Sequence, residues 1–283
     1  MKLGLVIEGG ASRAYFSTGV MDFLLEKKIY ADYVIGVSAG IANGVSYVSR
    51  QIGRNIDIGE NYVHDKRYMG LKYLMDPKNR SFYNLKFVFG GGVEEFVPFD
   101  YDAYYSSGGK TVAVVTNIET GKPEYLDISH YKGDWKPLIA SCSLPILFKP
   151  EDIDGRLYMD GGISDPIPID RAIEEGCDRI IVITTRERSY KKTKETGVGV
   201  SSLVYRRYPK FVGLLKSRVD TYNKAHQKAL EYEKQGRIFL IAPEDTKGWG
   251  RTESDPYKIR AMHNTGHSPA EKLYESLEKY LNE

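Results

Sequence analysis

The sequence predicts an α/β protein: a three-layer α/β/α sandwich with a mainly parallel central sheet. Three observations predict it. Short apolar runs alternate with longer stretches of helical periodicity along the 283 residues, the pattern of strands covered on both faces by helices. Twice near the start, an apolar run passes through small residues directly into a helical stretch. Later, Asp160 closes a short apolar run, where open α/β sheets place their sites, at the carboxyl ends of strands.

The elements follow in order. Leu3–Ile7 reads as a buried strand, residues 15–28 as a helix, Tyr33–Val37 as a second strand and residues 39–50 as a second helix. A long irregular stretch with short helical pieces runs to about residue 108. Strands are expected at 111–118 and 123–128, a helix near 134–141, and a strand ending at Asp160. Helix 168–175 leads to strand 179–185, helix 209–234 to strand 237–242, and a final helix spans 269–281. This divides the chain into a catalytic core, 1–185, and a C-terminal stretch, 186–283, that completes or extends the same domain.

Gly36-Val37-Ser38-Ala39-Gly40 fits Gly-x-Ser-x-Gly, in which a serine occupies a sharp strand-to-helix turn. Glycines permit the strained turn and a close backbone approach, and the following helix N-terminus points free N–H groups at developing negative charge. Five letters alone also describe an ordinary turn with an idle serine. The loop Glu8-Gly9-Gly10-Ala11-Ser12-Arg13-Ala14 presents successive N–H groups at a helix start. A dinucleotide site fits it poorly, because Ala11 stands at the second glycine position and the second strand ends at Ser38 instead of an acid. An oxyanion hole formed by the N–H groups of Gly10 and Ala11 fits better. A surface turn is the ordinary reading of Asp160-Gly161-Gly162, yet the preceding run Ala140 to Pro150 looks buried.

These segments, in this order, resemble the patatin-like phospholipase family. The resemblance rests on Gly9 to Ala14, Gly36 to Gly40, the Ala-Ser-x-Ser-x-Pro-x-x-Phe-x-Pro run from Ala140 to Pro150, and Asp160-Gly161-Gly162. It extends into the tail through Arg251-Thr252-Glu253-Ser254-Asp255 and Asn264-Thr265-Gly266-His267. It implies a lipid acyl hydrolase with a patatin-like fold and a Ser–Asp dyad: Ser38 as nucleophile, Asp160 as base. It implies further that the glycine loop binds the oxyanion and that Arg13 steadies that loop, with Gly9, Gly36, Gly40, Gly161 and Gly162 in support. The chain departs from the family pattern at Ala11 and Ala14, where glycine is usual. Alanine can serve at Ala11 unless the backbone there needs positive φ.

The residues favour a dyad independently. A Ser–Asp–His order on several preceding strands is absent, since Ser38 follows only the second strand. Surface or capping roles suit His64, His130, His226, His263 and His267; His130, after the strand at 123–128, is the alternative base. An ordinary aspartate, with a pKa of about 3.9, is a poor base for serine, so Asp160 must be buried to serve.

Composition sets further bounds. Hydrophobic residues are 41% and charged residues 28%, ordinary globular values. No run approaches the 18 or so apolar residues of a spanning helix. The start flows straight into the glycine loop, which leaves no room for a signal peptide, and two cysteines, Cys142 and Cys177, build no disulfide framework. A cytoplasmic protein is expected, peripheral to the membrane if bound to it. Cys/His spacing for zinc and acidic calcium loops are missing, so no metal or cofactor is expected.

Two segments bear on the substrate, a lipid or other acyl ester. Residues 76–108 are rich in Phe and Tyr around Gly90-Gly91-Gly92 and read either as a lid or acyl groove or as a satellite core under a long loop. Residues 186–218 carry ten Lys/Arg on a chain of net charge +2. They read as a solvated loop or as a contact with an anionic membrane, while Phe211, Leu215, Val219, Tyr222, Ala225 and Ala229 follow the spacing of a core-packed helix face. Nucleic-acid binding is disfavoured by the near-neutral charge and the lack of a binding motif. An acyltransferase with the same dyad, and a non-catalytic lipid-surface module, are the alternative functions; a nucleotide-binding protein ranks behind them. Oligomeric state is not legible.

Overall fold

The computed structural model of the chain describes every residue except Pro77, Lys78, Arg80, Gly90, Gly133 and Asp134. The expected start of a helix at 134 and the Gly90 of the aromatic stretch therefore lie outside the described residues. The first half runs β1 (Leu3–Ile7), α1 (Tyr15–Glu26), β2 (Tyr33–Val37), α2 (Ala39–Val48), α3 (Arg54–Asn61), α4 (Leu71–Met75), α5 (Leu85–Val88), α6 (Tyr101–Tyr105), β3 (Lys110–Asn117) and β4 (Lys122–Asp127). The second half runs α7 (Lys136–Cys142), β5 (Glu151–Ile153), β6 (Arg156–Asp160), α8 (Ile169–Glu174), β7 (Arg179–Ile183), α9 (Val198–Val204), α10 (Pro209–Lys234), β8 (Phe239–Ile241), α11 (Pro256–Lys272) and α12 (Tyr274–Asn282).

Among the described residues eight strands form one sheet, ordered β5-β6-β3-β2-β1-β7-β8 with β4 also on β3. The stretch β3-β2-β1-β7-β8 is parallel; β4, β5 and β6 join antiparallel. Side chains alternate across the strands, so each strand feeds two cores. Leu3, Leu5 and Ile7 of β1 pack with Phe16, Val20 and Leu24 of α1 and with the tail helices; Val6 packs on the other face with Ile169 of α8 and Ala229 of α10. The central strands are buried on both faces, and their near-continuous apolar runs follow from that.

One register detail builds the site. A residue in a strand has one neighbour on each edge. β4 takes Val112–Asn117 of β3 along one edge, so β2 (against Lys110–Val114) and β6 (against Val115–Asn117) must share the other. The carboxyl ends of β2 and β6 therefore meet head to head, which brings Ser38, after β2, to Asp160, the last residue of β6.

The structure corrects several sequence expectations. The expected final helix at 269–281 is two helices, because α11 already begins at Pro256. Asp255 caps it by accepting from the Tyr257 N–H at 2.9 Å, and Pro256 sits in its first turn, a start signal present in the sequence. Pro269 lies inside α11 and does not end it. Strand β5 was not expected. It pairs with β6 across Asp154-Gly155, both at positive φ (52° and 78°), the backbone that an Asp-Gly hairpin turn requires. Short helix α9 was also missed. The strand expected at 237–242 keeps only Phe239–Ile241.

Candidate active site

The elbow expected at Ser38 is present and strained. Ser38 has φ 53° and ψ −131°, a conformation that costs a non-glycine residue about 1–3 kcal/mol. The surrounding glycines make the turn possible. A Cβ on Gly40 would stand 2.6 Å from the carbonyls of Ile7 and Glu8, and one on Gly36 would stand 2.9 Å from the Ile41 nitrogen. A Cβ on Gly9 would stand under 3 Å from Val37 O and Ser38 Cβ, and one on Gly161 would stand 2.2 Å from the Val114 carbonyl. These four positions are fixed by backbone crowding. Gly162 donates its N–H to Asp160 Oδ1 at 2.8 Å and so orients that carboxylate.

Asp160 is 2% exposed. The Ser38 hydroxyl lies close enough to its carboxyl to favour the ionised form. Burial pushes the Asp160 pKa up from the ordinary aspartate value, and Arg218, the Ser38 hydroxyl, the Gly162 N–H and Arg251 pull it partly back. The carboxyl is thus a stronger base than a free aspartate while its ionised form keeps support.

The glycine loop faces the same point. Gly10 and Ala11 line a cavity together with Ser38 and Asp160. Among the described residues their N–H groups carry no hydrogen bond to a protein acceptor. Ala11 adopts φ 50°, so the departure from glycine falls where the backbone does take positive φ. Ser12 anchors the loop through its N–H and Oγ to the Arg251 carbonyl at 3.2 and 3.0 Å. Arg13 is buried behind it at 8% exposed.

Sequence reasoning assigned no role to Ser141. Its Oγ donates to the Val114 carbonyl at 2.7 Å and accepts from the Ser38 N–H at 2.9 Å. It ties the elbow to β3. The Asp160 N–H is likewise held by the Ser143 carbonyl at 2.9 Å, so the Ala140–Pro150 run positions both halves of the pair. Cys142 places its thiol beside Ser38, and burial keeps it protonated. His130 is exposed and follows β4 beside Thr111, at the amino end of β3 and the opposite end of the sheet from Ser38. It is no partner for the serine.

Two cavities meet at Ser38. One, of about 200 Å³, is lined mainly by apolar side chains, including Ala39, Val45, Leu138 and Phe148. Tyr83, Val88, Phe89, Val93 and Phe99 supply its outer wall, while Phe87, Phe99 and Tyr104 are themselves buried. The aromatic stretch is therefore both a packed layer and a cavity wall. The other, of about 90 Å³, has charged residues in its wall and reaches Arg186, Lys192, Arg218 and Arg251. Three of the ten basic residues between 186 and 218 thus turn inward, where a solvated loop or a membrane contact was expected. The core-packed face of α10 is present: Phe211, Leu215 and Ala229 are buried.

A serine on a strained strand-to-helix turn, at the carboxyl end of a mostly parallel sheet, defines the class: an α/β protein with a Gly-x-Ser-x-Gly elbow. Within that class the chain belongs to the patatin-like phospholipase family, whose model matches residues 5–101 and 132–173. A second model, a domain of unknown function (DUF6363), matches residues 208–282. The chain is 26% identical over 264 residues to the uncharacterized protein YjjU of Escherichia coli, covering 86% of this chain and 68% of that protein. It is 29% identical over 206 residues to lysophospholipase NTE1 of Cryptococcus neoformans, and 26% identical over 187 residues to lysophospholipase nte1 of Aspergillus fumigatus. These matches cover 71% and 64% of this chain, which spans 12% of either fungal protein. The crystal structure of VipD from Legionella pneumophila matches with a TM-score of 0.51 at 12% identity, over 97% of this chain and 66% of VipD; that likeness concerns the fold. Among the described residues no helix is long and apolar enough to cross a membrane.

Proposed function

We propose that this chain is a lipid acyl hydrolase in which Ser38 is the nucleophile and Asp160 its base. The observation that carries the reading is the Ser38 hydroxyl close to a buried carboxylate, in front of two unengaged N–H groups. Ser38 Oγ attacks the ester carbonyl carbon while Asp160 accepts its proton. The carbonyl oxygen, now negative, is held by the N–H groups of Gly10 and Ala11, aided by the amino end of α2. On collapse the C–O bond to the alcohol breaks and Asp160 returns the proton to it. Water, deprotonated by Asp160, then attacks the acyl-serine and regenerates Ser38. Family membership and the names of the fungal relatives support a lipid ester as substrate, and the apolar cavity offers room for an acyl chain.

The catalytic form of Asp160 is the carboxylate. Because its pKa is raised, activity is lost as pH falls through a value above the ordinary aspartate range. Residues 186–283 belong, in this reading, to the same unit as 1–185, since β8 joins the sheet and Arg218 and Arg251 reach the cavity. A bilayer contact is proposed at α9, where Val200, Leu203 and Val204 are exposed, the exposed Ile146 lies beside Gly197 at its start, and Arg206 and Arg207 adjoin. Binding to liposomes should rise with anionic lipid and fall in salt; equal binding to neutral vesicles rules it out.

The deciding experiment is fluorophosphonate labelling of the purified chain beside Ser38→Ala, with turnover of ester substrates. Labelling and hydrolysis by the wild type, both lost in Ser38→Ala, are expected. Full activity in the variant rejects the assignment.

A further inference from the structure

The cation-rich cavity on the Asp160 side of Ser38 carries more positive charge than the dyad uses. Arg13, Arg186, Lys192, Arg218 and Arg251 line it. They come from the glycine loop, the segment after β7, α10 and the loop before α11. The carboxylates beside them are fewer and already shared: Asp160 faces Arg218 and Arg251, Glu8 faces Arg13, and Glu187 holds the Thr246 hydroxyl that Arg186 also bonds. Glu195 alone takes both Lys192, at 2.6 Å, and Arg218, at 3.2 Å. Glu8 is committed to the Thr185 N–H at 2.6 Å and the Tyr222 hydroxyl at 2.7 Å. Arg186 bonds the neutral Thr246 hydroxyl at 2.7 Å.

Arg13 is the telling member. It is 8% exposed, and its Nε is buried without a hydrogen-bond partner. Burial, with Arg186 and Arg251 close by, pulls its guanidinium down to about 10. Burying a cation among like charges costs stability unless an anion completes the arrangement. Guanidinium groups suit phosphate because their forked donors match its oxygens.

The aromatic residues argue against a choline-type cation. Quaternary ammonium groups are bound on open aromatic faces. Here Arg186 already lies 4.3 Å from the ring centre of Tyr190, and Lys192 lies 5.6 Å from that of Tyr222.

We infer that this cavity binds the phosphate of a glycerolipid whose acyl ester is held at Ser38, and that it selects headgroups of net negative charge, such as a phosphate monoester, over choline. The inference rests on the hydrolase reading for the position of the ester, since Ser38 lines both cavities. The acyl chain lies on the apolar side and the phosphate on the cationic side.

Calorimetry on the full chain tests it without any turnover, using glycerol 3-phosphate, glycerophosphocholine and inorganic phosphate as probes. Glycerol 3-phosphate should bind at least about tenfold more tightly than either of the others. Arg186→Gln and the exposed Arg251→Gln should each weaken it about tenfold, as loss of one charge-assisted contact does. Ser38→Ala should bind it like the wild type. Equal affinity for glycerophosphocholine, or wild-type affinity in both arginine variants, overturns the inference. Inorganic phosphate binding as tightly as glycerol 3-phosphate makes this a free-anion site and overturns the lipid assignment. Kinetics then separate the two readings: lysophosphatidate should be hydrolysed at least tenfold more efficiently than lysophosphatidylcholine, with that ratio falling in both arginine variants. If no ester is turned over by the folded wild type, the hydrolase reading falls, and the binding data alone decide the cavity.

Discussion

Asp160 and Asp22 are both buried acids, and of these two only Asp160 lines one of the cavities at Ser38. Asp160 faces Ser38 at the meeting of two strand ends. Asp22 sits at the crossing of α1 and α11, where His263 Nε2 lies 3.7 Å from it and the Gly53 N–H donates to it at 3.1 Å. Burial raises both acids, Asp22 to about 6. Burial also lowers His263 to about 4. Near neutral pH the Asp22–His263 contact is therefore not an ion pair: the acid is ionised and the imidazole neutral. Thr18 Oγ1 donates to the Tyr15 carbonyl at 2.7 Å, so it accepts from His263 Nδ1 at 3.0 Å. This second cluster seals a helix crossing. A displaced pKa marks burial in both places, and access to a ligand separates chemistry from packing.

Substitutions at the two acids should separate these roles. Asp160→Asn removes the base and should lower kcat/KM for esters about 10²–10⁴-fold with little change in the urea midpoint. Asp22→Ala should do the reverse: it leaves the Gly53 N–H without its acceptor and should cost about 1–3 kcal/mol in urea unfolding while the folded fraction keeps its turnover. Equal activity losses in both variants would erase the distinction.

The helix crossing allows a larger effect on stability than Asp22→Ala. A Cβ on Gly266 would stand 2.0 Å from the Phe16 carbonyl, and one on Gly19 would stand 1.9 Å from the His263 carbonyl. The two backbones touch with no side chain between them. Gly266→Ala must push α11 off α1 and should cost about 3 kcal/mol or more, read as a lower urea midpoint at constant m.

The same crossing shows where sequence reading stops. Gly266 and His267 were visible as part of a family-like tail pattern, but a glycine in a sequence does not name the carbonyl it must approach. That knowledge needs α1, which lies more than 200 positions away. The sheet and the elbow were legible because each is encoded locally, in an apolar run and a permissive turn; the partnership of Ser38 with Asp160 was implied only by the family resemblance, because it is the shared edge of β3, set by tertiary register, that brings these distant positions together. Ser141 was not, since a serine acquires its role only when Val114 and the Ser38 N–H converge on it. The inward turn of Arg186, Lys192 and Arg218 was equally hidden. Local charge density is the same for a solvated loop, a bilayer contact and a cavity wall; the direction each side chain takes is set by tertiary packing. Helix α10 escaped this limit because its 3.6-residue period states which face is buried.

The smallest expected effect tests the strain at the site itself. Ala11 holds φ 50°, and an L-residue in the left-handed region costs about 1–2 kcal/mol. Glycine removes that cost but adds about 0.5–1 kcal/mol of chain entropy in the unfolded state. Ala11→Gly should therefore stabilise the protein by roughly 0–1.5 kcal/mol, read as a small rise in melting temperature. The N–H of residue 11 should keep its aim, because the loop is anchored on both sides: Ser12 bonds the Arg251 carbonyl, and the Gly9 carbonyl accepts from Thr185 Oγ1 at 3.0 Å. Ester turnover should then stay within about twofold of the wild type, since the donor is a backbone group that both residues share. A tenfold loss with the melting temperature preserved would mean that the alanine conformation, and not the anchoring contacts, points that N–H at the ester.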